Sequence, residues 1–183
     1  MEKEVVKQTK SLFISAGHSF KDPGAYGNGY TEADIVLHFR DLVADALRDK
    51  VAFTKDGDRG ENLELAEAVR LAKTRDVAVE FHCNAFSDPR VGGVETLSAA
   101  HHYPLGQRLC KVVSDELEIP YRGAKGEGDG QHSRLAFIRD GGGIILELFF
   151  LTNKKELMAF LPRQRYVANA IAKVLIDEVA PHG

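Results

Sequence analysis

At 183 residues, with 44% hydrophobic and 28% charged side chains, the chain has the composition of one ordinary globular domain, long enough to bury roughly 70% of the surface its unfolded form exposes. Lys+Arg 24 against Asp+Glu 27 leaves a formal net charge of −3, so the cation excess that neutralises a phosphate backbone is missing and nucleic acid is not expected as a partner. Cys83 and Cys110 are too few for a disulfide framework or a thiolate zinc site and read as buried free thiols. No apolar run reaches the roughly 18 residues of a membrane span, and Met1 to Lys7 lack the apolar stretch of a secretory signal, so membrane insertion is not expected.

In chain order, Leu12 to Ala16 is an apolar run closed by Gly17 and reads as a buried strand, followed by a polar loop with Pro23, Gly24, Gly27 and Gly29. Thr31 and Asp34 make a capping-box-like start to a helix running toward Lys50. A weak strand over 51–54, a helix over about 61–75 and a strand over 77–82 follow. Then come a strand over 93–97, a helix over about 104–117, and a loop carrying Gly123, Gly126, Gly128 and Gly130. Two strands, 135–138 and 144–149, flank Gly141 to Gly143, and helices over about 154–160 and 163–179 close the chain. Alternation of strands and helices predicts an α/β fold: a single domain over 1–183, residues 1–10 being an N-terminal extension, with a mostly parallel twisted sheet of about six strands covered by helices on both faces.

Sites in such sheets form outside the carboxyl ends of the strands. His18 follows the first strand after one glycine, and His82 closes the 77–82 strand. Glu147 interrupts an otherwise apolar strand, where a carboxylate costs several kcal/mol unless a metal or hydrogen-bond partner offsets it. Two histidines and a carboxylate at converging strand ends are the ingredients of a catalytic zinc site with three protein ligands, and Glu32, in the first turn of the first long helix, can fold back over His18 as the third.

The segments Gly17 to Ala25, Glu32, Phe81 to Ala85 and Leu146 to Asn153 resemble, in order and spacing, the four signature blocks of the zinc-dependent N-acetylmuramoyl-L-alanine amidase family of autolysins and phage endolysins, over about Leu12 to Val179. The resemblance implies that His18, Glu32 and His82 bind Zn²⁺ and that Glu147 is the catalytic carboxylate. The substrate it implies is peptidoglycan, cut between N-acetylmuramic acid and L-alanine. Two positions depart from the family: Ser19-Phe20 stands where glycine usually follows the first histidine, and Glu80 replaces a small polar residue two before the second. A compact catalytic domain of this kind, without a signal peptide, is expected to be a monomeric phage endolysin, made in the host cytoplasm and released through the membrane; a mother-cell lysis enzyme would look similar.

Glu80 shares the strand face of His82 and could orient it or pair with an arginine beneath the site. Asn84, beside the site, and His132 and Arg134, beyond the glycine loop, could reach bound substrate; His101 and His102 read as exposed. Cys83 adjoins His82 but should face away from it, which argues against a thiol nucleophile. The residues alone support metal-assisted amide hydrolysis, so a zinc peptidase acting on stem peptides is an alternative reading. A non-catalytic peptidoglycan-binding module is another, although such a module would be expected to have lost part of the ligand set.

Overall fold

The computed structural model describes residues 9–19, 21–129 and 135–181. Strand β1 spans Leu12–Ala16, and a two-residue hairpin, β2 Tyr26–Gly27 with β3 Tyr30–Thr31, leads into helix α1, Glu32–Leu47. β4 is Phe53–Lys55, α2 Leu65–Ala72, β5 Val77–Asn84, β6 Val94–Leu97, α3 Tyr103–Leu117 and β7 Tyr121–Lys125; α4 Ala136–Arg139, β8 Ile144–Phe150 and α5 Lys154–Val179 follow. Six strands form one sheet in the order β4-β1-β5-β8-β6-β7. Every neighbouring pair is parallel except β6 with β8.

Side chains alternate between the two faces of a strand, and here the alternation separates core from site. Ile14, Val79, Phe81, Leu146 and Leu148 face α1, α3 and α5 in the larger core. Phe13, Ala78, Ile145 and Leu97 face the other way, against Ala68 and Ala72 of α2 and Phe137 and Ile138 of α4, with the Phe13 and Phe137 ring centroids 6.4 Å apart. Each fully buried aromatic or large aliphatic chain contributes about 1.5–3 kcal/mol relative to exposure. The short α2 and α4 leave part of this second face uncovered. Continuing the same parity toward the carboxyl ends of β1, β5 and β8 gives Ser15, Glu80, His82 and Glu147, and β6 adds Glu95.

Three expectations from the sequence are corrected. Residues 135–138, expected as a strand, form the start of α4, where the Arg139 N–H donates to the Leu135 carbonyl; a four-residue apolar run carries no period that separates helix from strand. The glycine-rich loop hides strand β7, whose composition is poor for a strand but whose backbone pairs in parallel with β6 at the sheet edge. The two closing helices are one, α5, continuous through Pro162, since packing on α1 and α3 outweighs a lost hydrogen bond at an exposed position. The 51–54 strand is shifted to Phe53–Lys55, and the β2–β3 hairpin had no strand signal. Among the described residues, no helix is long and apolar enough to cross a membrane.

Candidate metal centre

His18 leaves β1 just beyond Gly17, and His82 lies near the carboxyl end of β5. Thr31 caps α1, its hydroxyl accepting from the Asp34 N–H, so Glu32 occupies the first helical position and turns back over the ends of β1 and β5. Its Oε1 accepts from the Cys83 N–H at 2.9 Å and lies 3.0 Å from His82 Nδ1. Its Oε2 accepts from the Ala25 N–H at 3.0 Å and lies 3.2 Å from His18 Nε2. Two glycines make room for this approach. A Cβ on Gly17 would stand 2.1 Å from the His82 ring, and Gly24, at φ +66°, would place one 2.6 Å from Glu32 Oε2 and 2.7 Å from His18.

One ligand atom from each of His18, Glu32 and His82 lies within 4.8 Å of the others. Tetrahedral zinc with ligands at about 2.0–2.2 Å sets its donors roughly 3.4 Å apart, so the donor set and its spacing fit such an ion. His18 Nδ1, turned away from Glu32, lies 3.2 Å from Asp22 Oδ2 without the alignment of a hydrogen bond. Glu147 Oε2 is likewise buried without a hydrogen-bond partner. The fold thus brings together the four residues expected at the site.

The electrostatics of the cluster follow from proximity. Burial favours a neutral Glu32, but hydrogen bonds to His18 and His82 outweigh it and hold the carboxyl well below the usual range. Burial likewise opposes charge on His82, yet Glu32 and Glu80 raise its pKa well above the ordinary value. His18 is raised in the same way, by Glu32 against burial. The cluster therefore attracts positive charge. Glu147, in register with His82 across β5 and β8, is pushed up to about 7, first by burial and further by Glu32 and Glu95, against His82 and His18.

Glu80 Oε1 lies 3.0 Å from His82 Nε2, the ring nitrogen opposite the one facing Glu32. The expected pairing of Glu80 with an arginine is not found among the described residues; Arg40 bonds Asp56 instead, and Ser15 stands between Asp56 and Glu80. Asn84 lines the cavity, and its amide donates to Glu95 Oε1 at 3.0 Å. Cys83 joins the larger core on the opposite face, and burial first, then Glu32 and Glu147, pushes its thiol well up, as a non-nucleophilic residue requires. His101 is exposed, and His102 Nε2 meets the Gly142 carbonyl at 3.0 Å. His132 and Arg134 lie outside the described residues.

Glu95 was missed by the sequence reading. It is buried in β6 directly opposite Glu147, with its Oε2 accepting from Arg122 and, at 2.7 Å, from Lys125. The signal was available: a glutamate in the apolar Val94 to Leu97 run poses the same desolvation problem as Glu147. Glu95, Asn84, Leu97, Phe137 and Ile145 join the cluster in lining a cavity of about 520 Å³, open to solvent beside His18, His82 and Glu147.

The profile of the N-acetylmuramoyl-L-alanine amidase family matches residues 12–177. The chain belongs to this family. Among solved structures of the amidase fold, a Neisseria meningitidis protein assigned as an N-acetylmuramoyl-L-alanine amidase superposes with a TM-score of 0.85 at 36% identity, covering 92% of this chain and 95% of that one. The catalytic domain of the amidase CwlV from Bacillus (Paenibacillus) polymyxa gives 0.79 at 25% identity, over 93% and 99% of the two chains. The endolysin of Bacillus phage SPP1 is 30% identical over 186 residues, 91% of this chain and 66% of the phage protein. The chain thus spans just under two thirds of that endolysin's length.

Proposed function

We propose that this protein is a zinc-dependent N-acetylmuramoyl-L-alanine amidase that hydrolyses the amide bond between N-acetylmuramic acid and L-alanine in peptidoglycan. The observation that carries the reading is the convergence of His18, Glu32 and His82 on one point of the cavity wall, with Glu147 in the adjacent register position. When bound, a zinc ion supplies a positive charge that acidifies a water and polarises an amide carbonyl. His18, Glu32 and His82 would hold it, and Glu80 would fix the His82 ring by accepting its outer N–H. Glu147, poised near neutrality by burial, takes the proton of the attacking water and hands it to the departing L-alanine nitrogen. The cavity opens to solvent beside this cluster, and Leu97, Phe137 and Ile145 form an apolar wall against which a substrate would lie.

Purified peptidoglycan, incubated with native protein, with chelated protein with and without added Zn²⁺, and with Glu147→Ala, tests the reading directly. New L-alanine amino ends are expected from native protein only, lost on chelation and restored by zinc. Cleavage at other peptide bonds would replace the amidase by a stem-peptide peptidase, and zinc binding without any cleavage would leave a peptidoglycan-binding module.

The likeness to the SPP1 endolysin supports a role as a phage endolysin, which would act as a monomer after release from the host cytoplasm. Expressed alone, the protein is then expected to leave cells intact until the membrane is permeabilised; export of the intact chain by the host would sink this role. Sedimentation at micromolar concentration checks the monomer.

A further inference from the structure

Behind the metal centre lies a guanidinium with no contact to solvent. Arg40 sits on α1, about two turns beyond Glu32, and is fully buried. It bonds the side chains of Asp41 and Asp56 and donates to the backbone carbonyls of Asp56, Asp58 (3.0 Å) and Glu61 (2.8 Å). Asp41 Oδ2 in turn accepts from the Gly60 N–H at 2.7 Å. The 56–62 segment is therefore wound around one side chain. An unpaired buried arginine is strongly unfavourable, so the segment and the arginine hold each other in place.

Two arms run from this segment to the two histidines. At its near end, Asp56 Oδ2 lies 2.8 Å from Ser15 Oγ, which lies 3.1 Å from Glu80 Oε2; the other oxygen of Glu80 meets His82 Nε2 at 3.0 Å. At its far end, the Asn62 amide donates to the Ala16 carbonyl at 2.7 Å and to the His18 carbonyl at 2.6 Å, pinning the backbone that carries His18. A segment that only closed the fold would have no reason to end, at both ends, on the groups that aim the two imidazoles.

We propose that Arg40 is a positioning residue for the metal centre: through the 56–62 segment it orients His82 by way of Asp56, Ser15 and Glu80, and His18 by way of Asn62. Helix α1 then supplies the carboxylate ligand directly and the two histidines indirectly, so one rigid element registers all three. The inference rests on the metal reading above. Groups that orient a metal-bound imidazole typically change metal affinity 10–100-fold when removed.

The test measures zinc affinity by chelator competition, with thermal melting of the metal-free protein as a check on folding. Ser15→Ala and Asn62→Ala are each expected to weaken zinc binding about tenfold or more while the metal-free protein, somewhat destabilised by the lost buried hydrogen bonds, still melts in one cooperative transition. Ser15→Ala is expected to cost nothing further in a Glu80→Ala background, whereas Asn62→Ala should cost the same there as in the native chain. Arg40→Met should combine both losses; if it fails to fold, the two arm variants decide alone. Native protein that binds no zinc overturns the metal reading itself. Native protein that binds zinc, with both arm variants within twofold of it, overturns the positioning role alone. Additive losses from Ser15→Ala and Glu80→Ala overturn the arm through Glu80.

Discussion

Glu147 combines an unsatisfied oxygen, a register position beside His82 and a carboxyl pushed up to about 7 from an ordinary 4.5, primarily by burial. A carboxyl raised on folding binds its proton more tightly in the native state, so its contribution to stability is fully present below 4.5 and is lost as pH rises through about 7. Metal-free Glu147→Gln is therefore expected to show a flatter melting-temperature profile than native protein between these values, and scanning calorimetry of chelated samples checks this. Equal slopes would mean that folding does not raise the Glu147 carboxyl above its ordinary value. Gly17 is the second informative residue. In Gly17→Ala the new methyl meets the His82 ring at 2.1 Å, so the ring must move, and an ångström of displacement is enough to lower activity about a hundredfold. Titrating zinc and measuring amidase rate on the same variant would show whether metal and activity are lost together.

At the scale of elements, α1 does more than cover the sheet. Its capped start aims Glu32, and its buried face enters the larger core through Ile35, Val36, Phe39 and Val43. Thr31→Ala removes the cap and should cost about 1 kcal/mol of stability, read from denaturant unfolding. Because Glu32 occupies the first position after the cap, the same variant should also weaken zinc binding; unchanged affinity would show that the Cys83 and Ala25 amides alone fix the carboxylate. β8 is the other element on which the site depends, since it pairs with both β5 and β6 and so sets Glu147 between His82 and Glu95.

At the scale of the molecule, metal binding and folding are linked. An ion that binds only the native state stabilises it by about 2.7 kcal/mol at a hundredfold excess over its dissociation constant. For a domain of this size that is a rise in melting temperature on the order of 5–10 °C. Zinc added to chelated protein should produce such a rise in the native chain and none in Glu32→Gln, where the proposed carboxylate ligand is gone. The two faces of the sheet divide the labour: α1, α3 and α5 supply stability on one, and the lightly covered other face supplies the cavity.

By itself the sequence determined what local pattern encodes. The alternation of apolar strands and amphipathic helices gave the α/β class, the Thr31 cap placed Glu32, and His18, His82 and Glu147 stood out as polar residues at or inside apolar strand runs. Those signals are local because they concern the period of one element or the desolvation of one side chain. The four-residue run at 135–138 has too short a period to read, β7 exists only because β6 offers an edge, and α5 runs through Pro162 only because α1 and α3 pack against it. Tertiary structure alone decided that Glu95 stands opposite Glu147 and that Arg40 is wired to both histidines, for these relations join residues distant in the chain through strand register and buried hydrogen bonds, neither of which leaves a periodic trace.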